Sequence, residues 1–265
     1  MPSDGWRPDW DAPDGVLAWM STRQGGVSAA PFDSLNLARS VAGSCDHPYA
    51  VAENRRRFSQ GLGAPPVFLH QVHGTEVVEL TRQHLVPDLP PPVADASVTL
   101  VPGVACTVFA ADCLPVLFCT IDGRAVGAAH AGWRGLAAGV LEATVQRLGD
   151  VCGCAAKDVL AWLGPCIGPR QFEVGVDVWR ALAAPDKPGG ADPAFEPVTR
   201  RDGTPGWLAD LPALARRRLA GLGVSRVYGG DWCTVSDPLR FFSFRRDGLT
   251  GRLAAGIALR DSDGP

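Results

Sequence analysis

The chain has 265 residues, 46% hydrophobic and 20% charged, enough apolar material for one large core or two small ones. A formal net charge of -3 provides no overall basic field, which argues against general binding to nucleic acid or to an anionic membrane. No apolar run approaches the length of a membrane span, and the polar, proline-rich opening MPSDGWRPDWDAPDG does not read as a signal peptide, so the expected location is cytoplasmic.

Val16–Met20 reads as a first strand, followed by the long loop STRQGGVSAAPFDSLNLA. Asp46 is placed to cap a helix through HPYAVAENRRRFSQGL, which Gly63 stops. A strand is expected at Val67–Leu69. HQVHGTEVVEL then reads as strand, tight turn at His73-Gly74, and strand again. After the proline-rich loop PDLPPPVADA come four β-rich runs: Ala96–Leu100, Ala105–Ala110, Val116–Thr120 and Ala125–Ala129. Asp122-Gly123 between the last two is a hairpin signal, so this region is expected to be antiparallel or mixed.

The clearest helix follows His130, with Leu136, Val140, Leu141, Val145 and Leu148 on one face and Gly149 as its end. Val159–Leu163 reads as strand, and FEVGVDVWRALA and LADLPALARRRLAGLG as helices. Val227–Tyr228, Phe241–Phe244 and Ala254–Leu259 read as closing strands, and RDSDGP as a disordered tail. The pattern implies one α+β domain over residues 1–265, its core about 16–260, with a β-rich centre and outer helices. The 8 scattered cysteines are expected as thiols in a reducing compartment, Cys152 and Cys154 included, because their spacing lacks the form of a zinc ribbon. Arg55–Arg57 and Arg216–Arg218 read as solvated helix faces, whereas Arg245-Arg246 is left between an anion site and a structural ion pair.

Three places interrupt apolar runs with chemistry. In AVGAAHAGWRGLAAGV a buried strand ends at His130, and a helix begins just past Gly132. Free backbone N–H groups there, with the Arg134 guanidinium, suit an anion; a structural turn with Trp133 in the core and Arg134 in solvent is the equal alternative. In FAADCLPVLF, Asp112 and Cys113 break an apolar run just before Pro115, which also suits a buried thiol beside a capping carboxylate. In HQVHGT, His70 and His73 flank a turn. His73, Cys113 and His130 together are the donor types of a zinc site with an open position, but they stand far apart in sequence, and no spacing rule predicts that they converge.

At these residues the chain resembles the bacterial polyphenol oxidase or laccase-domain family, whose members are also described as purine nucleoside phosphorylases or peptidoglycan editing factors. QVHGTEVV, ADASVT, AADCLPVLF, AHAGWRGLAAGV, GPCIGPRQFEVGVDV and FFSFRRDGLTGRLAAGIAL carry the resemblance in order, and STRQGGVSAAPFDSLNLA and ENRRRF extend it over nearly the whole chain. Ala94 is a small departure, standing where a glycine is common. The resemblance implies a single α+β domain with mixed sheets sandwiched between outer helices, like cysteine-dependent toxin deamidases. It implies a metal site of His73, Cys113 and His130 holding zinc, with copper as the alternative, and a metal-free variant in which Cys113 is the nucleophile and His130 the base.

Three activities follow from that resemblance. The first is phosphorolysis of adenosine, inosine, guanosine and methylthioadenosine, with adenosine deamination. The second is removal of L-serine from a UDP-muramic acid precursor, and the third is copper-dependent phenol oxidation. A chain with 5 histidines is too poor in imidazole for the separate cluster of a multicopper oxidase, which ranks the third reading last, while one site could serve either of the first two. Arg23 and Arg134 are the phosphate candidates. The expected partners are small molecules, a purine nucleoside with phosphate or a nucleotide-sugar peptide, for a monomer or homodimer. A metal-binding protein without catalysis is the non-enzymatic alternative.

Overall fold

The computed structural model describes residues 4–41, 43–87, 89–183, 192–200 and 203–261. The strands, in chain order, are β1 (Gly5–Trp6), β2 (Val16–Ser21), β3 (Ser40–Val41), β4 (Ser44–Cys45), β5 (Pro66–Phe68), β6 (Val77–Glu79), β7 (Ala96–Thr99) and β8 (Ala105–Ala110). They continue as β9 (Leu114–Thr120), β10 (Val126–Ala131), β11 (Val159–Leu163), β12 (Glu173–Val174), β13 (Phe195–Thr199), β14 (Pro205–Ala209), β15 (Arg226–Gly229) and β16 (Leu253–Leu259). The helices are α1 (Pro48–Leu62), α2 (Trp133–Ala138), α3 (Val140–Cys152), α4 (Val176–Leu182), α5 (Leu211–Gly221) and α6 (Phe244–Asp247). None of the described helices is long and apolar enough to cross a membrane.

Two mixed sheets lie face to face. One has the order β1-β2-β16-β8-β5 and the other β15-β11-β9-β10-β7-β6. Side chains of alternate residues explain the layering. Val108, Ala255 and Ile257 from the first sheet meet Leu117, Val126 and Ala128 from the second in one buried cluster. Residues of the alternate set on β10 point the other way: Ala129 and Ala131 pack with Leu141, Val145 and Leu148 of α3. On the far side, Phe58 and Leu62 of α1 cover Ala254 and Ala258 of β16. The result is helix, sheet, sheet, helix, with mixed sheets between outer helices as expected. Both faces of β9, β10 and β16 are buried, which accounts for their unbroken apolar sequences.

Several local expectations are corrected. Helix α1 starts one residue later than an Asp46 cap requires: His47 is the cap residue with no side-chain bond, and Pro48 fills the first turn. The Asp46 carboxylate is used elsewhere, accepting from Ser28, Asn36 and the His47 N–H. No hairpin forms at His73-Gly74, because β6 pairs parallel with β7 instead of folding back on the preceding segment. The long helix after His130 is split at Gly139, which takes a left-handed φ of 101°, and α3 runs through Gly149 to end at Gly153. Within FEVGVDVWRALA, Glu173 and Val174 form a strand before the helix begins. Phe241–Phe244 is not a strand: Ser243 caps the short α6 through the Arg246 N–H, and Phe241 and Phe242 fill the core. Of the expected disordered tail, residues 262–265 lie outside the described residues.

The arginine triplets also differ from a simple solvated face. Arg216 donates to the carbonyls of Val227 and Gly229, Arg217 pairs with Asp192, and Arg218 pairs with Glu142. That triplet ties α5 to its neighbours. Arg246 pairs with Asp247 and donates to Thr234 and Phe241 carbonyls, while Arg245 donates to the Glu173 carbonyl, so the pair at 245–246 is structural.

Candidate metal centre

One end of the sandwich gathers the chemistry. The connection from β5 to β6 passes from the first sheet to the second and carries His73. The connection from β8 to β9 makes the same passage a short distance away and carries Cys113. Strand β10 ends there too, with His130 paired in register with Pro115 of β9. The three side chains, separated by 40 and 17 positions in sequence, offer ligand atoms that all lie within 4.8 Å of one another. The Cys113 sulfur stands 3.8 Å from His73 Nε2, and the two imidazoles meet edge to face at 4.8 Å.

Asp95, just before β7, is fully buried and holds this arrangement. Its Oδ1 is 2.9 Å from His130 Nδ1, and the two residues also share a backbone bond from the His130 N–H to the Asp95 carbonyl. The same carboxylate accepts the N–H groups of Val72, His73 and Gly74 at 3.0, 2.9 and 2.7 Å. Those bonds hold His73 in a left-handed conformation, φ 62°, uncommon for a residue with a side chain. Because His130 Nδ1 is engaged by the carboxylate, its Nε2 is the nitrogen left for the cluster. Burial opposes ionisation of Asp95, but the His130 hydrogen bond and the Gly74 and Val72 N–H groups outweigh it and lower its pKa.

The other fixed point is Asp112, also left-handed at φ 93°. It accepts from the Thr234 hydroxyl and the Arg245 N–H, both at 2.6 Å, and so anchors the corner that presents Cys113. Gly132 supplies space. Its φ of -66° is ordinary, yet a Cβ there would lie 2.8 Å from His73 Cδ2 and 3.0 Å from the Cys113 sulfur. The glycine is needed for close approach of side chains and not for its backbone freedom.

Charge within the cluster is strongly coupled. Burial raises the cost of a Cys113 thiolate, but the charge and hydrogen bond of His130, helped by His73, bring the thiol down to about 6. For His130, burial works against the cation, and the Cys113 charge with the Asp95 hydrogen bond overcomes it, raising the imidazole to about 9. Arg252 adds a nearby cation. Burial lowers its pKa while the charges of Cys113 and Asp112 raise it, and it donates to the carbonyls of Thr250 and Gly251.

Two nitrogens and one soft sulfur suit zinc or copper rather than the oxygen-seeking magnesium and calcium. Zinc binds nitrogen at about 2.1 Å and sulfur at about 2.3 Å, so in a tetrahedral site its ligands stand roughly 3.4–3.6 Å apart. The Cys113 sulfur and His73 Nε2, 3.8 Å apart, already stand near that spacing, and the widest pair, within 4.8 Å, would close by roughly 1 Å to share one ion. It is the one such group of His, Cys, Asp or Glu side chains among the described residues, and it excludes His70, which lies exposed beside Val93.

The two arginines proposed from sequence differ. Arg23 already donates to the carbonyls of Asp33 and Pro238 and pairs with Asp33 at 3.4 Å, tying its loop together. Arg134 is exposed, stacked at 4.4 Å over the Trp133 ring, with no acidic partner among the described residues. Helix α2 has only six residues, so its dipole adds little to an anion site there. Asp95 and Arg252 escape a reading by motif. The signal for Asp95 was a lone carboxylate set among small apolar residues, the same kind of interruption that marks Asp112 and His130.

Comparison with known proteins places the chain in a family. The family described as multi-copper polyphenol oxidoreductase laccase matches residues 17–260. The chain belongs to that family. Among its relatives is the purine nucleoside phosphorylase PA4543 of Pseudomonas aeruginosa, 51% identical over 96% of this chain and 98% of that protein. The purine nucleoside phosphorylase YfiH of Escherichia coli is 49% identical over 95% and 97%. The crystal structure of NMB0706 from Neisseria meningitidis superposes with a TM-score of 0.86 at 45% identity, covering 98% of this chain and 100% of that one. YlmD from Geobacillus stearothermophilus gives 0.83 at 32% identity, covering 94% and 93%. A laccase-family chain of this kind is thus similar over its full described core to proteins named as purine nucleoside phosphorylases.

Proposed function

We propose that the chain is a metal-dependent purine nucleoside phosphorylase acting on adenosine, inosine, guanosine and methylthioadenosine, and that the same centre deaminates adenosine. The observation that carries the reading is the convergence of His73, Cys113 and His130 within 4.8 Å, in a chain about half identical to proteins named for that activity. Zinc is the metal these donors favour, with copper the alternative.

In phosphorolysis a phosphate oxygen forms a bond to C1′ of the ribose while the bond from C1′ to the purine nitrogen breaks. The electron pair leaves with the base, which takes up a proton. Arg134, exposed and without an acidic partner among the described residues, is assigned to hold the phosphate by a charge-assisted fork. The Arg252 cation near Cys113 favours an anion on the same side. Asp95 orients His130 and fixes the His73 turn, so that the cluster is assembled before substrate arrives. A metal held by the cluster supplies Lewis acidity and water with a pKa near neutrality, the chemistry that deamination requires. Without metal, Cys113 and His130 remain a thiolate–imidazolium pair.

The test is a product assay. Incubation of adenosine and inosine with protein, with and without phosphate, is expected to give free base and ribose 1-phosphate only when phosphate is present. Equal release of base without phosphate would reject phosphorolysis and leave hydrolysis.

A further inference from the structure

The first arginine triplet divides in a way its sequence conceals. Arg56 and Arg57 share the carboxylate of Glu53, one helical turn away, at 2.7 and 2.8 Å. Arg55 turns from that face toward the body of the protein. Its Nε donates to the Leu37 carbonyl at 2.8 Å, and its guanidinium lies 4.2 Å above the Phe68 ring and 5.7 Å from Phe109. Its two terminal nitrogens have no hydrogen-bond partner among the described residues.

Arg55 opens with Arg39 onto a cleft of about 300 Å³ whose remaining walls are Pro48, Val51 and Ala52. No carboxylate lines it. The nearest candidate by sequence, Asp46, is buried and already accepts three hydrogen bonds from Ser28, Asn36 and the His47 N–H. Arg39 and Arg55 thus share one largely apolar-walled space with no carboxylate in its walls, and they lie close enough for their like charges to interact. Burial, and then the like charge of Arg39, bring Arg55 down to about 10, a cost to its charged form. An anion seated between the two would reverse that penalty. Guanidinium forks match the oxygens of a phosphate group in pairs, and the stacked Phe68 and Phe109 rings beneath Arg55 keep its plane fixed.

We infer that the Arg39–Arg55 cleft is a binding site for a phosphate group, separate from the metal centre. The cleft exceeds what a bare phosphate fills, and its aliphatic wall favours a phosphate monoester carrying an apolar part. Inorganic phosphate shares the recognising chemistry and is the other source.

The experiment uses the full-length protein and follows its thermal midpoint against increasing inorganic phosphate, sulfate and phenyl phosphate, with chloride matched throughout. A saturable rise with phenyl phosphate is expected, and its affinity is expected to fall at least 10-fold in Arg39→Ala. Arg39 is exposed, so this variant keeps its fold; Arg55→Lys, which retains charge but loses the fork, provides a second reading with the same expected direction. Saturation by inorganic phosphate alone at the same arginines would assign the site to free phosphate, whereas saturation only by the ester would assign it to phosphorylated metabolites. Cys113→Ser and Arg134→Ala are expected to keep the response, which separates this site from the proposed catalytic one. Absence of a saturable rise with any of the three anions would overturn the inference. So would wild-type affinity in both Arg39→Ala and Arg55→Lys, or loss of the response in Arg134→Ala alone.

Discussion

His130 and His73 present the same imidazole to the same sulfur from opposite kinds of support. His130 ends a strand buried on both faces, is 4% exposed, and is placed by the ladder between β9 and β10. His73 is exposed, on a turn with no strand partner, in a conformation its side chain disfavours. The sheet alone would position the first and leave the second adrift. Asp95 removes the difference, because one buried carboxylate binds the His130 ring and three consecutive amides around His73. The contrast teaches that precision at a loop-borne ligand can be borrowed from a strand through a single polar residue.

Substitution of Gly132 should break both supports together. Gly132→Ala places a methyl group against His73 and Cys113 while leaving an ordinary backbone conformation. A fall of about 100-fold or more in kcat/KM for phosphorolysis is expected, near 3 kcal/mol at the transition state, with little change in far-UV circular dichroism. Wild-type kinetics in this variant would show that the close approach is not used.

Asp95→Asn sharpens the comparison by separating its two halves. Metal affinity should fall roughly 10- to 100-fold, the usual cost of losing a partner that orients a ligating histidine. Amide hydrogen exchange should rise at residues 72–74 and stay slow along β10, because only the turn depends on the carboxylate for its bonds. Equal loosening of both segments would contradict the division.

The metal-free protein gives a third view. Since the Cys113 pKa is lowered to about 6, its thiolate is present above that pH and is lost below it. Alkylation by iodoacetamide, followed at Cys113 by mass spectrometry, should therefore reach half its plateau rate near pH 6, well below the pH at which an ordinary thiol does. In Asp95→Asn the midpoint should move upward, because His130 loses the partner that favours its cation. A midpoint near 8.5 in the wild type would mean that the imidazoles do not stabilise the thiolate.

The smallest effect is expected at the rim. Arg134→Ala should raise the KM for phosphate roughly 10-fold, about 1.4 kcal/mol, without lowering the thermal midpoint, because its one described contact is with Trp133. Arg23→Ala should instead lower stability, since Arg23 joins backbone carbonyls of two distant loops.

The layered fold was legible where period and length agreed: the apolar runs of β8 to β11 and β16, and the amphipathic face of α3. It was less legible where a local signal competed with tertiary pairing. His73-Gly74 looks like a hairpin turn, but β6 finds β7 as a parallel partner, and that pairing is invisible over a short window. Phe241 and Phe242 have strand composition, yet Ser243 caps a helical turn and the rings serve the core between sheets. The three candidate ligands were visible as interruptions of apolar runs, and the family resemblance joined them; their spacing did not. What joins them physically is the passage of two connections between sheets at one end of the sandwich, a property of topology and not of any short motif. Asp95 was hidden for the same reason, since its role consists of bonds to residues more than twenty positions away on either side.

The central claim is that His73, Cys113 and His130 share one divalent metal. Its most direct test is metal content by mass spectrometry of protein purified and then equilibrated with zinc, for the wild type and for His73→Ala, Cys113→Ser and His130→Ala, each checked by far-UV circular dichroism. About one equivalent is expected in the wild type and a large loss in each folded variant; Cys113→Ser is the most telling, because it is nearly isosteric while a hydroxyl is a far poorer soft ligand than a thiolate. A wild type that retains no zinc or copper, or a folded Cys113→Ser protein that retains the full equivalent, would contradict it.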